Sequence, residues 1–445
     1  TDALMADWEE IIPAQKLSYI LGNPPFIGYS NQSAEQKQSM LHVLGSKSAK
    51  NLDFVSCWYI KSLPLLERNP QVDVAFVSSN SIVQGEQVPA LWQPMLDHGV
   101  QIHFAHRTFS WSNEASHKAA VHCVIVGYSL REKKKKTIYD YADIKGDPLA
   151  INASQINPYL IDAPNILIKG LSKPLHSGTP MLRGSGPVDG GGLLMTREER
   201  DELIQLEPIA EPWIKPFLGA QEYLNNKERF CLWLVDCPPQ TLRAFKEVRK
   251  RLEIVKSMRE ASKKKPTRES ASTPHLFGEI RQSKSDYLLV PRVSSERRYY
   301  VPMGYMDKNV ICGDGNFQVP EATLFDFALL TSTMHMAWMR TVCGKLKSDY
   351  RYSNKIVYNT FPWPQDVTES TVAKIEKLAQ AILDARAEHQ DASLADLYDP
   401  LTMPPKLLKA HKTLDTAVDK AYGSPKFKTE ADRVAYLFKL YAELS

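Results

Sequence analysis

The chain has 445 residues, with 55 Lys plus Arg against 51 Asp plus Glu for a formal charge of +4, and 43% of it is hydrophobic. That is enough apolar material for two or three domains. No apolar run reaches membrane-spanning length and no signal peptide opens the chain, which excludes a helical membrane protein and points to the cytoplasm. The six cysteines form no CxxC pair, and the His103/His106 spacing has no partnering Cys or HExxH helix. Neither a zinc centre nor a disulfide framework is expected, so the metal assignment is none.

In chain order, residues 17–21 read as an apolar strand that runs into Asn23-Pro24-Pro25-Phe26. This combination suits methylation of a planar amino group. An exocyclic amine is a poor nucleophile because its lone pair is delocalised into the ring. Two acceptors aimed at its hydrogens, the Asn23 side-chain oxygen and the Pro24 carbonyl, favour a pyramidal nitrogen. Phe26 is then available to stack on the base, and Pro24 and Pro25 stiffen the loop at the carboxyl end of a strand, where open α/β sheets put their ligands. The competing interpretation of the four residues is an ordinary turn.

Residues 34–44 and 54–66 read as helices, the second beginning behind Asp53. Residues 72–78 read as a buried strand, 89–97 as a short helix, and 101–106 and 121–128 as two more strands, the latter the last of its domain. The alternation predicts part of a doubly wound, Rossmann-like α/β sheet over residues 1–136. The run Lys133-Lys134-Lys135-Lys136 reads mainly as a solvated face where that domain ends.

Residues 137–172 read as a connector. From 173 to 365 the pattern is mixed α+β: a helix at 197–205, a strand at 230–235, a basic helix at 241–262, and strands near 287–293 and 311–319. Positive charge concentrates here, with 16 Lys or Arg against 7 Asp or Glu over 241–300, whereas residues 1–130 hold 8 against 11. Runs at 249–251 and 263–265 are dense enough to meet phosphates. Gly190-Gly191-Gly192 reads as a flexible turn in preference to a phosphate cradle. Lys345, Lys347, Asp349 and Arg351 alternate through a strand-like stretch and would share one face. Lys347 with Asp349 would then match the two halves of a G·C pair in a major groove, the alternatives being a cross-turn salt bridge or phosphate contacts. Arg292, Arg297 and Arg298 are candidate phosphate clamps or plain surface charge. Residues 366–445 form a helical tail, with helices at 369–390, 404–422 and 429–444 and 11 basic against 13 acidic residues.

Several segments carry a family resemblance: residues 1–8 (TDALMADW), the Asn23 loop, 78–87 (SSNSIVQGEQ), 104–111 (FAHRTFSW), 156–160 (INPYL), 277–280 (FGEI) with 291–297 (PRVSSER), and 347–364 (KSDYRYSNKIVYNTFPWP). Together they resemble the carboxyl-terminal part of the MmeI-like type II restriction-modification family. The resemblance implies an adenine-N6 DNA methyltransferase that uses S-adenosylmethionine, with a target-recognition domain over 173–365 acting on double-stranded DNA. It also implies an antiparallel edge position for the strand at 121–128, a cofactor role for Asp2 and base-stacking roles for Phe109 and Trp111. The family's nuclease and its glycine-rich cofactor loop are expected upstream, in further segments of the same polypeptide. The expectation is therefore a fragment, inactive alone. Alternatives are cytosine-N4 or protein-glutamine methylation, or a DNA-specificity module without catalysis.

Overall fold

The structure, a computed structural model, describes residues 2–45, 52–111, 121–346, 348–423 and 427–445, without the side chains of Val121 and Leu346. Its first layer is a six-stranded sheet of β1 (Tyr19–Gly22), β2 (Asp73–Ser79), β3 (Gln101–Trp111), β4 (Val121–Ser129), β5 (Lys136–Asp140) and β6 (Leu149–Ala153), in the order β1-β2-β4-β3-β5-β6. β2 alternates buried and half-buried positions, as a strand with one fully covered face should. Helix Ala34–Leu44 begins at a capping box made by Ser33 and Gln36. Helix Ser56–Arg68 buries Tyr59, whose ring stacks on Tyr128 of β4 at 5.5 Å and whose hydroxyl meets Ser78 of β2 at 2.8 Å. β1 and β2 are parallel, so the Asn23 loop and the Ser79 end of β2 emerge on the same side.

The structure corrects two expectations for this sheet. β4 is interior, antiparallel to both β2 and β3, and does not lie at an edge. The sheet also continues beyond residue 136, since β5 pairs parallel with β3 and β6 pairs antiparallel with β5. The segment 137–153 read as connector because its residues are short, mixed and bounded by Asp and Gly, whereas strand status was conferred by the free edge of β3. Two of the four lysines in the run are paired locally, Lys133 with Asp73 at 2.8 Å and the buried Lys136 with Glu132 at 2.8 Å, while Lys134 and Lys135 are exposed.

Among the described residues, two four-stranded sheets and one of three strands lie beyond the first sheet. One hydrophobic core runs unbroken from the first sheet through Met181, Leu288 and Val319 into the tail helices, where Trp338 meets Phe438 at 5.5 Å. The tail helices Glu369–Ala387, Pro405–Ala421 and Glu430–Leu444 follow the amphipathic periods of the sequence. A separate core around Leu193, Met195, Phe245, Val248 and Val255 supports the segment with the basic helix.

That basic helix is not continuous. It breaks into Pro239–Ala244 and Glu247–Glu260, because the buried Glu207 carboxylate accepts the backbone N–H groups of Lys246 (2.5 Å) and Val248 (3.0 Å) and so starts a new helix there. Two of its arginines face inward. Arg251 donates to the carbonyls of Gly192 (2.9 Å) and Leu194 (2.7 Å), and Arg259 is fully buried. All of the Arg259 donors end on main-chain carbonyls: those of Val188, Pro187, Ser270, Thr273 and Leu276, at 2.7–3.1 Å. These charges are structural and do not face phosphates.

The glycine triplet explains the close approach. Gly190 and Gly191 have φ of +58° and +89°, and a Cβ on Gly192 would stand 2.5 Å from the Arg251 carbonyl oxygen and 2.6 Å from a Val255 methyl. The turn therefore packs against the helix. Gly192→Ala should cost about 1–3 kcal/mol through overpacking, read as a lower urea midpoint; an unchanged midpoint would show that the turn can move away.

Candidate active site and nucleic-acid cleft

Asn23 and Pro25 are exposed, Pro24 is buried and Phe26 is half-buried, packed on the main core. Among the described residues no hydrogen bond occupies the Asn23 side chain or the Pro24 carbonyl, so both acceptors are available. The loop is held from behind. The main-chain N–H of Ile27, one residue past Phe26, donates to Asp53 Oδ1 at 3.0 Å, and the Ile27 carbonyl accepts from Phe54 N (3.0 Å) and Gln32 Nε2 (2.9 Å). An open cavity of about 430 Å³ flanks the loop, lined by Trp8, Leu21, Asn23, Pro24, Trp58 and Phe76 among others. Among the described residues β1 pairs with β2 alone, so its other edge is open, and one of its faces leaves Tyr19 and Leu21 66% and 71% exposed.

Asp2 is anchored: Oδ1 accepts from Leu4 N and Oδ2 from Ser39 Oγ, both at 2.9 Å. Each oxygen keeps a second acceptor position. Phe109 and Trp111 lie at the carboxyl end of β3, on the same side of the sheet as the Asn23 loop. The Phe109 ring stacks on Tyr141 at 5.4 Å and lies 6.0 Å from Trp111, which is partly exposed. Neither lines the cavity beside Asn23. His103 donates to or accepts from Ser129 Oγ at 2.6 Å, and burial lowers its pKa to about 4; His106 stacks on Tyr139 at 4.3 Å. Among the described residues no cluster of three or more His, Cys, Asp or Glu could hold a metal ion.

A second, larger cavity of about 820 Å³ lies between the carboxyl side of the first sheet and the middle region. Tyr29, Ser30, Asn80, Ser81 and Gln84–Gln87 form one wall; Arg183, Arg292, Lys345 and Arg351 line the other. Arg183 pairs with Asp314 at 2.7 Å, and Arg292 donates to the Asp314 carbonyl at 2.7 Å while lying over the Phe317 ring. Burial, and then the charges of Arg183 and Arg351, lower the Arg292 pKa. Like charges held this close in a half-buried wall favour an anion between them.

The residues expected to form one basic row are a hairpin. Gly344–Leu346 pairs antiparallel with Asp349–Arg351, matching Gly344 with Arg351, Lys345 with Tyr350 and Leu346 with Asp349. Cross-strand partners share a face, so Asp349 and Arg351 lie together and Lys345 lies on the opposite face, over the Tyr350 ring and 3.9 Å from Glu296. The single-face expectation fails because a turn interrupts the row. Lys347 lies outside the described residues. Arg297 is exposed, 3.6 Å from Asp399, whereas burial lowers the Arg298 pKa, opposed by nearby Asp349 and Asp399. Arg183 and Asp53 were not singled out from the sequence as site residues. Arg183 stands alone among Leu and Gly, and Asp53 looked like no more than a helix start.

Residues 1–140 match the MmeI DNA-methyltransferase domain, residues 162–365 the MmeI target recognition domain and residues 367–445 the MmeI C-terminal domain. The chain belongs to the MmeI family. Along its full length it is 38% identical to DNA methyltransferase A of Bacillus subtilis (strain 168), covering 50% of that protein. It is also similar to the solved Type IIL restriction-modification enzyme MmeI in complex with DNA, at 47% identity and a TM-score of 0.93, covering 100% of this chain and 59% of that one. The chain thus spans about half the length of the curated relative it matches.

Proposed function

We propose that this chain is the methyl-transfer and target-recognition portion of a restriction-modification protein that methylates adenine N6 in double-stranded DNA, with a first domain that runs through β6 to residue 153, a connector to 172, and further domains at 173–365 and 366–445. The observation that carries the reading is the pair of free acceptors, Asn23 Oδ1 and the Pro24 carbonyl, on the same side of the first sheet as a cleft whose far wall is basic. Asn23 and Pro24 accept the two amine hydrogens of an extruded adenine, Phe26 stacks on its ring, and Phe109 or Trp111 covers it. S-adenosylmethionine supplies an electrophilic methyl group when bound. The transfer is direct, without a covalent enzyme intermediate. Burial pushes the Cys57 thiol up to about 12 and that of Cys123 to about 11, so neither supplies a thiolate at neutral pH.

The fit for a cofactor rests on the open side of β1. A strand whose second edge is unpaired among the described residues can take a further neighbour, and we assign the cofactor loop and nuclease to further segments of the same polypeptide, with Asp2 contributing beside them. The chain alone is then a DNA-binding specificity module that transfers no methyl. In the cleft, Arg292 and Arg351 hold phosphates with Arg183, while Asp349, together with Lys347, reads a base pair; Lys345, Arg297 and Arg298 contribute positive charge around the duplex.

The test is affinity for random-sequence duplex DNA between about 50 and 200 mM salt, where several phosphate contacts cost orders of magnitude. Arg292→Ala and Arg351→Ala should each reduce the slope of log affinity against log salt by about 1. A folded chain that binds no DNA at low salt would return the Asn23 loop to a protein substrate.

A further inference from the structure

One buried carboxylate fastens the Asn23 loop to the end of β2. Asp53 is 5% exposed, and both of its oxygens are occupied. Oδ1 accepts from the backbone N–H of Ile27 at 3.0 Å and of Val55 at 3.3 Å. Oδ2 accepts from Ser79 Oγ at 2.8 Å, and Ser81 Oγ lies 3.3 Å from it and 2.6 Å from Ser79 Oγ. One side chain thus joins the end of the Asn23–Phe26 loop to the end of β2. No described cation pairs with Asp53, so these donors are what hold its charge.

The same anchor extends into the recognition side. The main-chain N–H of Asp53 donates to Gln87 Oε1 at 2.9 Å. Two residues before Gln87, the N–H of the buried Gly85 donates to the Val342 carbonyl at 3.2 Å. Gly85 has a φ of +58°, and a Cβ there would meet the Gly344 backbone at 3.2 Å, so the segment seats directly on the first residue of the recognition hairpin. Hairpin, cleft wall and Asn23 loop are therefore connected through the Gly85 main chain and the side chains of Gln87 and Asp53.

We infer that Asp53 is a positioning residue: it fixes the Asn23 loop in register with the hairpin that docks DNA, so that an extruded base meets Asn23 and Pro24 at bonding distance. The inference rests on the assignment of the Asn23 loop as the transfer site. Its physical basis is that displacement of a reacting group by about 1 Å costs about 100-fold in rate. Asp53 touches no substrate and acts through Ile27.

The experiment is single-turnover methyl transfer to duplex DNA in the full-length protein, with DNA affinity measured on the same samples. Asp53→Ala removes both grips and should slow transfer about 100-fold while DNA affinity stays within about threefold. Asp53→Asn keeps the shape but removes the charge and converts one acceptor into a donor; it should slow transfer about tenfold and so recover about tenfold of the loss. Should the alanine protein not fold, the asparagine protein decides the matter. A wild-type rate in Asp53→Asn, or loss of rate and DNA affinity in equal proportion, overturns the positioning role. Asn23→Ala run in parallel separates the two levels: transfer that survives there overturns the site assignment itself, and Asp53 falls with it.

Discussion

Asn23→Ala is expected to slow methyl transfer by about 1,000-fold while leaving affinity for duplex DNA within a few-fold. The side chain supplies one of two acceptors that reshape the amine, and removing one preorganised hydrogen-bonding partner of a transition state costs about 100- to 1,000-fold. The side chain is exposed and bonded to no described residue, so its loss leaves no buried group unsatisfied and should not unfold the loop, which is held by Ile27 and Phe26. Labelled methyl transfer, measured in this chain and in one extended at its amino end, gives the answer. Transfer only in the extended chain supports the assignment of the cofactor loop upstream. Undiminished transfer by the alanine protein removes Asn23 from the mechanism, and no transfer by either wild-type chain would leave a DNA-binding module.

Arg259→Ala is expected to destabilise the middle region by about 3–5 kcal/mol, the range for stripping a buried charged group from its partners. Five carbonyls converge on this guanidinium; among the described residues those of Val188 and Leu276 would lose their donor, while those of Pro187, Ser270 and Thr273 keep the main-chain N–H of Gly278, Thr273 and Leu276. Lysine is no substitute, because a single ammonium cannot span carbonyls that a planar fork reaches on several sides. Urea denaturation followed by fluorescence measures the effect, with Lys250→Ala, a change on the exposed face of the same helix, as the control within about 0.5 kcal/mol. The contrary outcome is a protein of wild-type stability that has lost DNA affinity. That would make Arg259 a DNA contact, as the density of positive charge in the sequence first suggests.

The contrast between Arg259 and Arg351 explains what could be read in advance. Both are arginines in a basic region, and no local pattern separates them. Arg259 is inward because the turn around Val188 and Gly190 and the segment 270–276 bring carbonyls to it from two directions. Arg351 is outward because its strand pairs with Val293 on one side and Gly344 on the other, leaving its side chain at the cleft. The row from 345 to 351 fails in the same way: alternation holds within a strand, but the turn near 348 hands the next residues to a partner strand.

By itself the sequence determined the position of the Asn23-Pro24-Pro25-Phe26 loop at the carboxyl end of a strand, the alternation of strands and helices through residue 129, the amphipathic tail and the glycine turn. Each of these depends on residues within one or two turns of one another, on proline geometry, on capping side chains or on a period of two or 3.6. Tertiary structure alone decided that β4 lies inside the sheet, that residues 136–153 complete it, which arginines face the cleft, and that Asp53 ties the loop to β2 and the recognition hairpin. Those outcomes depend on hydrogen-bond partners tens to hundreds of residues away, whose positions follow from the packing of one shared core and leave no periodic trace in the chain.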